Sequence, residues 1–329
     1  MYKNKNVLVT GGTGLIGRPL VEALLKEGAS VRVVSMDTPD RCPKGCEFMQ
    51  KNLVYWDDCR DAVKDMDLVF HLVGIKASVS IGASRAATNL VSHLLFNTHM
   101  MEAARQEGVE RYLYTSTIGT YAPAEIYKEE DMWNGQPHYT DKYSAWAKRI
   151  GELQAEAYKA EFGWDKIAIV RPANVYGPWD NFDPSTAMVI PALIHRALSG
   201  ENPLKVWGDG SIRRDFIFSE DCARGMLLAM EKSADCDPLN LGSGTTFSIR
   251  EVVEEIIKYL GLSTQVAWDT SKPTGEPVRM MDMTKAEAKL GKFNSTSLSE
   301  GIARTIDWYE ENRDIAQDRF KVFKEPKYV

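Results

Sequence analysis

The chain of 329 residues predicts an α/β fold, a doubly wound parallel sheet followed by a smaller, irregular C-terminal domain. Three observations lead there. The chain opens on a buried strand, a glycine turn and a helix in immediate succession. Apolar strands then alternate with longer segments of helical periodicity, which implies parallel pairing through right-handed crossovers. After Pro178 the alternation breaks, Pro and Gly thicken and the strands shorten. The expected division is 1–178 for the sheet domain, with a return near 216–240, and 179–329 for the second domain.

In the opening element, Val7, Leu8 and Val9 form the short apolar run of a central strand covered on both faces. Gly11, Gly14 and Gly17 follow at every third position. Without Cβ atoms the turn is tight, a pyrophosphate can approach the backbone, and the helix N-terminus offers unpaired N–H groups. Ile16, Leu20, Ala23 and Leu24 share one helical face, and Gly28 is its stop. A glycine triplet between such a strand and such a helix predicts a Rossmann-type dinucleotide site. Later strands are expected at 31–35, 67–73, 112–117 and 167–171, with helices near 57–65, 86–107 and 141–162. Beyond Pro178, helices are expected near 186–199, 219–231, 248–260 and 297–312.

Composition narrows the class of protein. An apolar share of 44% and a charged share of 26% suit an ordinary globular chain. A formal charge of −6 argues against a nucleic-acid partner, and the one basic cluster, 321–327, is a short tail. Five scattered cysteines argue against a disulfide framework and for a reducing, cytoplasmic setting. Cys42 and Cys46 have no second pair, so no metal site is expected. No apolar run reaches the length of about 18 residues that spans a membrane, and strand-forming sequence begins too early for a signal peptide.

Four motifs carry a family resemblance: Thr10–Gly17, Phe70-His-Leu-Val73, Tyr114-Thr-Ser-Thr117 and Arg171-Pro-Ala-Asn-Val-Tyr-Gly-Pro178. In this order and spacing they resemble the extended short-chain dehydrogenase/reductase family, the NAD-dependent epimerases and dehydratases of nucleotide sugars. Segments 176–185, Val189-Ile-Pro-Ala192, Val206-Trp-Gly-Asp-Gly210, Arg214-Asp-Phe216 and 272–277 are similar to one branch, the GDP-L-fucose synthases.

For the cofactor, the resemblance implies contacts from Gly11, Thr13, Gly14, Leu15, Ile16 and Gly17. Ser35 holds the family's position after the second strand, and Asp37 stands just beyond it with no cation before Arg41. A carboxylate there suits the ribose hydroxyls of NAD, whereas NADP needs a cation, so NAD is expected and NADP remains possible. Asn52 and Leu53 take the adenine position. Leu72, Val73 and Gly74 line the cofactor, as do Lys148, Pro172, Asn174 and Val175.

The resembled chemistry uses a hydroxyl residue, a tyrosine and a lysine four residues after the tyrosine. Thr117 fits the hydroxyl and Lys148 the cation. Four residues before Lys148, however, stands Ser144, and the nearest phenol is Tyr143, displaced by about 100° on a regular helix. Either a distorted first turn brings Tyr143 in, or another group serves, or the function is lost. Gly119 and Met188 occupy the places of the branch's epimerising cysteine and histidine, and neither can move a proton.

At the nucleotide end the resemblance assigns Asn174, Val189, Arg196, Trp207, Arg214 and Arg279 to the substrate, together with Thr117. Together these imply an NAD(P)-dependent oxidoreductase acting at C4 of a GDP-linked mannose-type hexose or heptose, as 4-dehydrogenase, 4-reductase or C4 epimerase. The alternative is a silent cofactor- and nucleotide-sugar-binding sensor. Apolar residues covering more than one face of the helices near 86–107 and 141–162 predict a homodimer.

Overall fold

The computed structural model describes residues 1–75, 85–184, 186–272 and 275–317. The basic cluster 321–327, Ser185, and Pro273 and Thr274 of the 272–277 motif lie outside the described residues.

The opening apolar run becomes β1 (Asn6–Thr10), four of whose five residues are buried. β2 (Ser30–Ser35) pairs with it in parallel, and β3 (Glu47–Gln50), a strand without a clear period in the sequence, pairs with β2. On the other side lie β4 (Leu68–His71) and then β5 (Arg111–Thr115). β6 (Ile126–Tyr127) leaves this sheet, which continues through β7 (Ile167–Pro172). After β8 (Asn174–Tyr176), β9 (Leu204–Trp207), β10 (Arg213–Arg214) and β11 (Phe216–Phe218), the chain returns as β12 (Leu239–Leu241) beside β7. The sheet has seven strands, all parallel, in the order β12-β7-β5-β4-β1-β2-β3. The remaining strands are β13 (Phe247–Ser248), β14 (Val266–Asp269) and β15 (Val278–Met281), and a second sheet runs β13-β10-β15-β6.

Alternation along the strands explains the two layers. Val7 and Val9 face a core with Leu20, Val21 and Leu24 of α1 (Gly17–Lys26), whereas Leu8 faces a different core. That second core holds Cys59 and Ala62 of α2 (Trp56–Val63), Phe96 and Met100 of α3 (Ala86–Gln106) and Ala155 of α4 (Lys142–Phe162). A third core joins α5 (Val189–Leu198) to later elements, while α6 (Ser219–Lys232) returns Cys222 and Met226 to the first. α7 (Ile249–Leu260) starts on a capping box, Ser248 with Glu251, and gives Val252, Val253 and Ile256 to the third core. After α8 (Thr284–Leu290), α9 (Leu298–Glu311) adds Ile302 and Ile306.

The register of α4 on β5 and β7 is set by close contacts. Gly151 lies against the Tyr114 ring: a Cβ there would stand 2.2 Å from the phenol oxygen. One residue on, Glu152 takes both Nε (3.0 Å) and Nη2 (2.6 Å) of Arg171, with side chains only 5% and 2% exposed. Ser116 donates to the same carboxylate, and Arg171 Nη1 donates to the Tyr121 hydroxyl at 2.8 Å. A fork-to-fork pair of this kind fixes distance and plane together, and leaving one partner unpaired in the interior is costly. Glu152→Gln is therefore expected to lower the unfolding free energy by about 3–5 kcal/mol in urea titrations. A loss under about 1 kcal/mol would show that α4 is held by its apolar contacts instead.

Candidate active site

The glycine turn is closed so tightly that side chains do not fit. Gly11 has φ +70°, and Gly14 N donates to Gly11 O at 3.0 Å. A Cβ on Gly17 would lie 2.2 Å from Gly11 O, and one on Gly12 would lie 2.8 Å from a Val33 methyl. Gly12 is thus a requirement that the every-third spacing passes over. α1 begins with no side-chain cap and no acidic residue in its first turn, so its end is kept for an anion.

Asp37 reaches back to this turn. Its Oδ2 accepts from Thr13 Oγ1 at 2.6 Å and from Ser35 Oγ at 3.3 Å, and the Thr13 and Ser35 hydroxyls stand 3.0 Å apart. Asp37 therefore lies beside the glycine turn, against Thr13. At the end of β4, Leu72 N and Val73 N both donate to Thr10 Oγ1, at 3.1 and 3.2 Å. Val73 N is also 3.4 Å from where a Gly11 Cβ would be, so β1 and β4 pinch the same turn. Gly74 is exposed and Leu53 buried. Buried Asn52 Nδ2 has no hydrogen-bond partner among the described residues, as an adenine contact requires.

Lys148 lies in the interior, with Nζ donating to Thr115 O at 2.8 Å and to Asn97 Oδ1 at 3.4 Å. Burial lowers its pKa to about 7, partly opposed by the charge of Glu152. His71 and His93 are pushed down to about 3 by burial and then by the Lys148 charge, so both imidazoles are neutral. Thr10 and Asn97 hold the two nitrogens of His71 at 3.0 and 3.1 Å. Asn97 Nδ2 and Thr115 Oγ1 are buried without partners among the described residues. The side-chain-free glycine turn and the buried polar atoms around Lys148 that lack partners among the described residues fit a bound dinucleotide. His71 stands within the Phe70–Val73 motif without a role of its own there, and Asn97 left no mark in the sequence, since nothing in a helix period shows which polar residue turns inward.

The structure does not bring Tyr143 to Lys148. α4 starts regularly, with Ala145 N donating to Asp141 O at 2.9 Å, and no distortion turns the phenol inward. Tyr143 is 38% exposed, its ring covered by the Lys142 ammonium. Ser144, on the Lys148 face, donates to Asp141 O at 3.1 Å. Thr117 is half-buried and accepts from Gly119 N at 3.3 Å.

Of the expected substrate residues, Arg214 and Arg279 lie together near β10 and β15. Arg279 pairs with Asp141 at 3.0 Å and with Glu276. Among the described residues Arg214 donates only from Nη1, to the carbonyls of Arg213 and Glu276, which leaves Nε and Nη2 without a partner among them. Burial lowers its pKa to about 10, and the neighbouring Arg279 charge adds to the fall. A half-buried guanidinium with donors to spare among the described residues is a ready anion ligand. Arg196 is different: both its donors to Glu201 are at 2.6 Å and it also donates to Lys205 O, so it braces its own loop. Asn174 Nδ2 donates to Asp215 O at 2.9 Å, Pro172 is buried at the end of β7, and Val175 continues β8. Val189 opens α5, and Trp207 is 58% exposed with Lys272 over its ring.

Fold and site together define a dinucleotide-binding protein of the doubly wound class, with a buried lysine beside the cofactor cradle. The chain belongs to the NAD dependent epimerase/dehydratase family, whose profile matches residues 7–242, and is an NAD(P)-dependent enzyme of that type. It is 30% identical over 321 residues to GDP-L-fucose synthase 1 of Arabidopsis thaliana, with 94% of each chain covered. It is 28% identical over 323 residues to the dTDP-4-dehydro-6-deoxy-D-allose reductase of Streptomyces bikiniensis, covering 94% of this chain and 98% of that one. A UDP-glucose 4-epimerase from Thermotoga maritima, solved with UDP-glucose, superposes with a TM-score of 0.84 at 26% identity, covering 94% of this chain and all of the other. No helix among the described residues is long and apolar enough to cross a membrane.

Asp37 beside the glycine turn makes cofactor choice testable. Calorimetric titration is expected to give tighter binding of NAD(H) than NADP(H), since a 2′-phosphate would meet like charge. Asp37→Ala is expected to erase that preference. Tighter NADP(H) binding by the wild type contradicts the assignment.

Proposed function

We propose that the protein is an NAD-preferring oxidoreductase acting at C4 of a nucleotide-linked sugar, a GDP-linked mannose-type hexose or heptose, as 4-dehydrogenase, 4-reductase or C4 epimerase. The observation that supports this reading is the buried Lys148, held to Thr115 O at the end of β5, two residues before Thr117. Gly11, Gly14 and Gly17 hold the diphosphate, Asp37 the adenosine ribose, and Lys148 the second ribose. When bound, the nicotinamide supplies a two-electron hydride acceptor or donor. Thr117 Oγ1 hydrogen-bonds the sugar oxygen at C4, and Nε and Nη2 of Arg214 take a phosphate of the nucleotide. Trp207 offers an exposed ring for the base.

The similarity to a GDP-L-fucose synthase and to a reductase of a dTDP-linked keto sugar supports the substrate class. Gly119 and Met188 disfavour epimerisation of the flanking carbons through their own side chains. A second reading, a silent sensor of cofactor or nucleotide sugar, is favoured by Ser144 on the Lys148 face and by the outward Tyr143.

A screen of GDP-mannose, GDP-4-keto-6-deoxymannose, UDP-glucose and dTDP-glucose with NAD+ or NADH, followed at the reduced-nicotinamide band and by NMR of the sugar, separates the two. Turnover of a GDP-sugar is expected, as a change in the band or as a C4-inverted sugar; tight binding of sugar nucleotides with neither change would establish the sensor.

The protein is further proposed to be a homodimer. Val91 on α3 and Ile150, Leu153 and Phe162 on α4 are 37–48% exposed, and these two long helices pack against each other. A second copy would cover them. Light scattering is expected to give twice the chain mass at micromolar concentration; a monomer mass contradicts the pairing.

A further inference from the structure

Oxidation of an alcohol needs a proton acceptor, and neither Ser144 nor Tyr143 supplies one. Asp141 stands at the start of α4, three residues before Ser144 and seven before Lys148. Seven residues make two turns less about 20°, so Asp141 and Lys148 share a face. Side chains on a helix lean toward its N-terminus, so a group carried at 144 would project toward the turn that Asp141 occupies.

The carboxyl of Asp141 packs on the backbone of Gly119. A Cβ built on that glycine would lie 3.3 Å from Asp141 Cβ, 3.4 Å from its Cγ and 3.7 Å from Thr117 Cγ2. The missing side chain at 119 therefore lets the Asp141 carboxyl close onto the loop that carries Thr117. Oδ2 is paired with Arg279 Nη1 at 3.0 Å and accepts from Thr140 Oγ1 at 3.4 Å. Oδ1 has no hydrogen bond among the described residues, and the side chain is 31% exposed.

We propose that Asp141 is the proton-transferring carboxylate of this site, an assignment that rests on the oxidoreductase reading above. In the oxidising direction the sugar O–H bond at C4 breaks and its proton passes to Asp141. A bound oxidised nicotinamide, held through Gly11, Gly14 and Gly17, would take the C4–H electron pair as hydride while the C4=O bond forms. Asp141 is left as the neutral acid and returns the proton to water. In the reducing direction each transfer reverses, with Asp141 protonating the oxygen that gains charge. Arg279 holds Oδ2 and so keeps the carboxylate against Gly119, a place that a side chain at 119 would contest.

The test uses the full chain, NAD+ or NADH, and the sugar nucleotide that turns over in the screen. Asp141→Asn and Asp141→Ala are first checked for an unchanged circular-dichroism melt and NAD+ affinity. Asp141→Asn is expected to lower kcat by about 100-fold to 10,000-fold with KM within about threefold. Formate is expected to restore part of the rate of Asp141→Ala and to leave the wild type unaffected. GDP, titrated calorimetrically, is expected to bind Asp141→Asn at least as tightly as the wild type, because Arg279 is no longer shared with that carboxylate. A kcat within about threefold of wild type overturns the proposal, as does GDP binding weakened in step with kcat, the mark of a mere strut for Arg279. A screen in which no sugar nucleotide turns over overturns the oxidoreductase reading, and this assignment with it.

Discussion

The buried pair of Glu152 and Arg171 is the constraint on which the candidate site depends. It joins α4 to β7 and, through Ser116, to the end of β5, with all three side chains out of water. Desolvating two charges is unfavourable, and the fork-to-fork geometry, the hydroxyl donor Ser116 and the hydroxyl acceptor Tyr121 offset it. One turn earlier on the same helix Lys148 is drawn inward to Thr115 O. The rotation of α4 then follows: Ser144 and Asp141 fall on the Lys148 face, and Tyr143 falls outside it.

The same constraint ties the two layers of the molecule together. Arg171 meets Tyr121, Tyr121 donates to Asn240 Oδ1 at 2.6 Å, and Asn240 Nδ2 reaches Tyr127 O and Asp282 O beside β6 and β15. β15 carries Arg279, which returns to Asp141 at the head of α4. Asp215, fully buried, pins the neighbouring segment by accepting from Ser243 N, Ser243 Oγ, Gly244 N and Met281 N. α4, β7, β6 and β15 are thus joined by one polar framework.

Much of this was legible in the sequence where a local period or a spacing expressed it. The strand runs and the glycine turn are expressed within a few residues, and they emerge as expected. Short strands such as β6 and β10 have two residues each and carry no period. Long-range partners left no local trace: Arg279 and Asp141 are 138 residues apart, and Lys148 and Asn97 are 51 apart. Arg196 was misleading because its partner Glu201 is only five residues on, and that loop-bracing role takes its donors. Asp141 had a signal, its spacing of three and seven before Ser144 and Lys148, but the spacing acquires meaning only once Gly119 is seen against it.

The chemistry proposed for this framework is transfer of hydride between C4 of a nucleotide-linked sugar and the nicotinamide held by the glycine cradle. The most direct measurement is isotopic. A sugar nucleotide carrying deuterium at C4, chosen from those that turn over, is incubated with NAD+ in ordinary water, and the reduced cofactor is analysed by mass spectrometry. The account predicts one deuterium on the nicotinamide ring. Reduced cofactor without deuterium, the label remaining on the sugar, would contradict it.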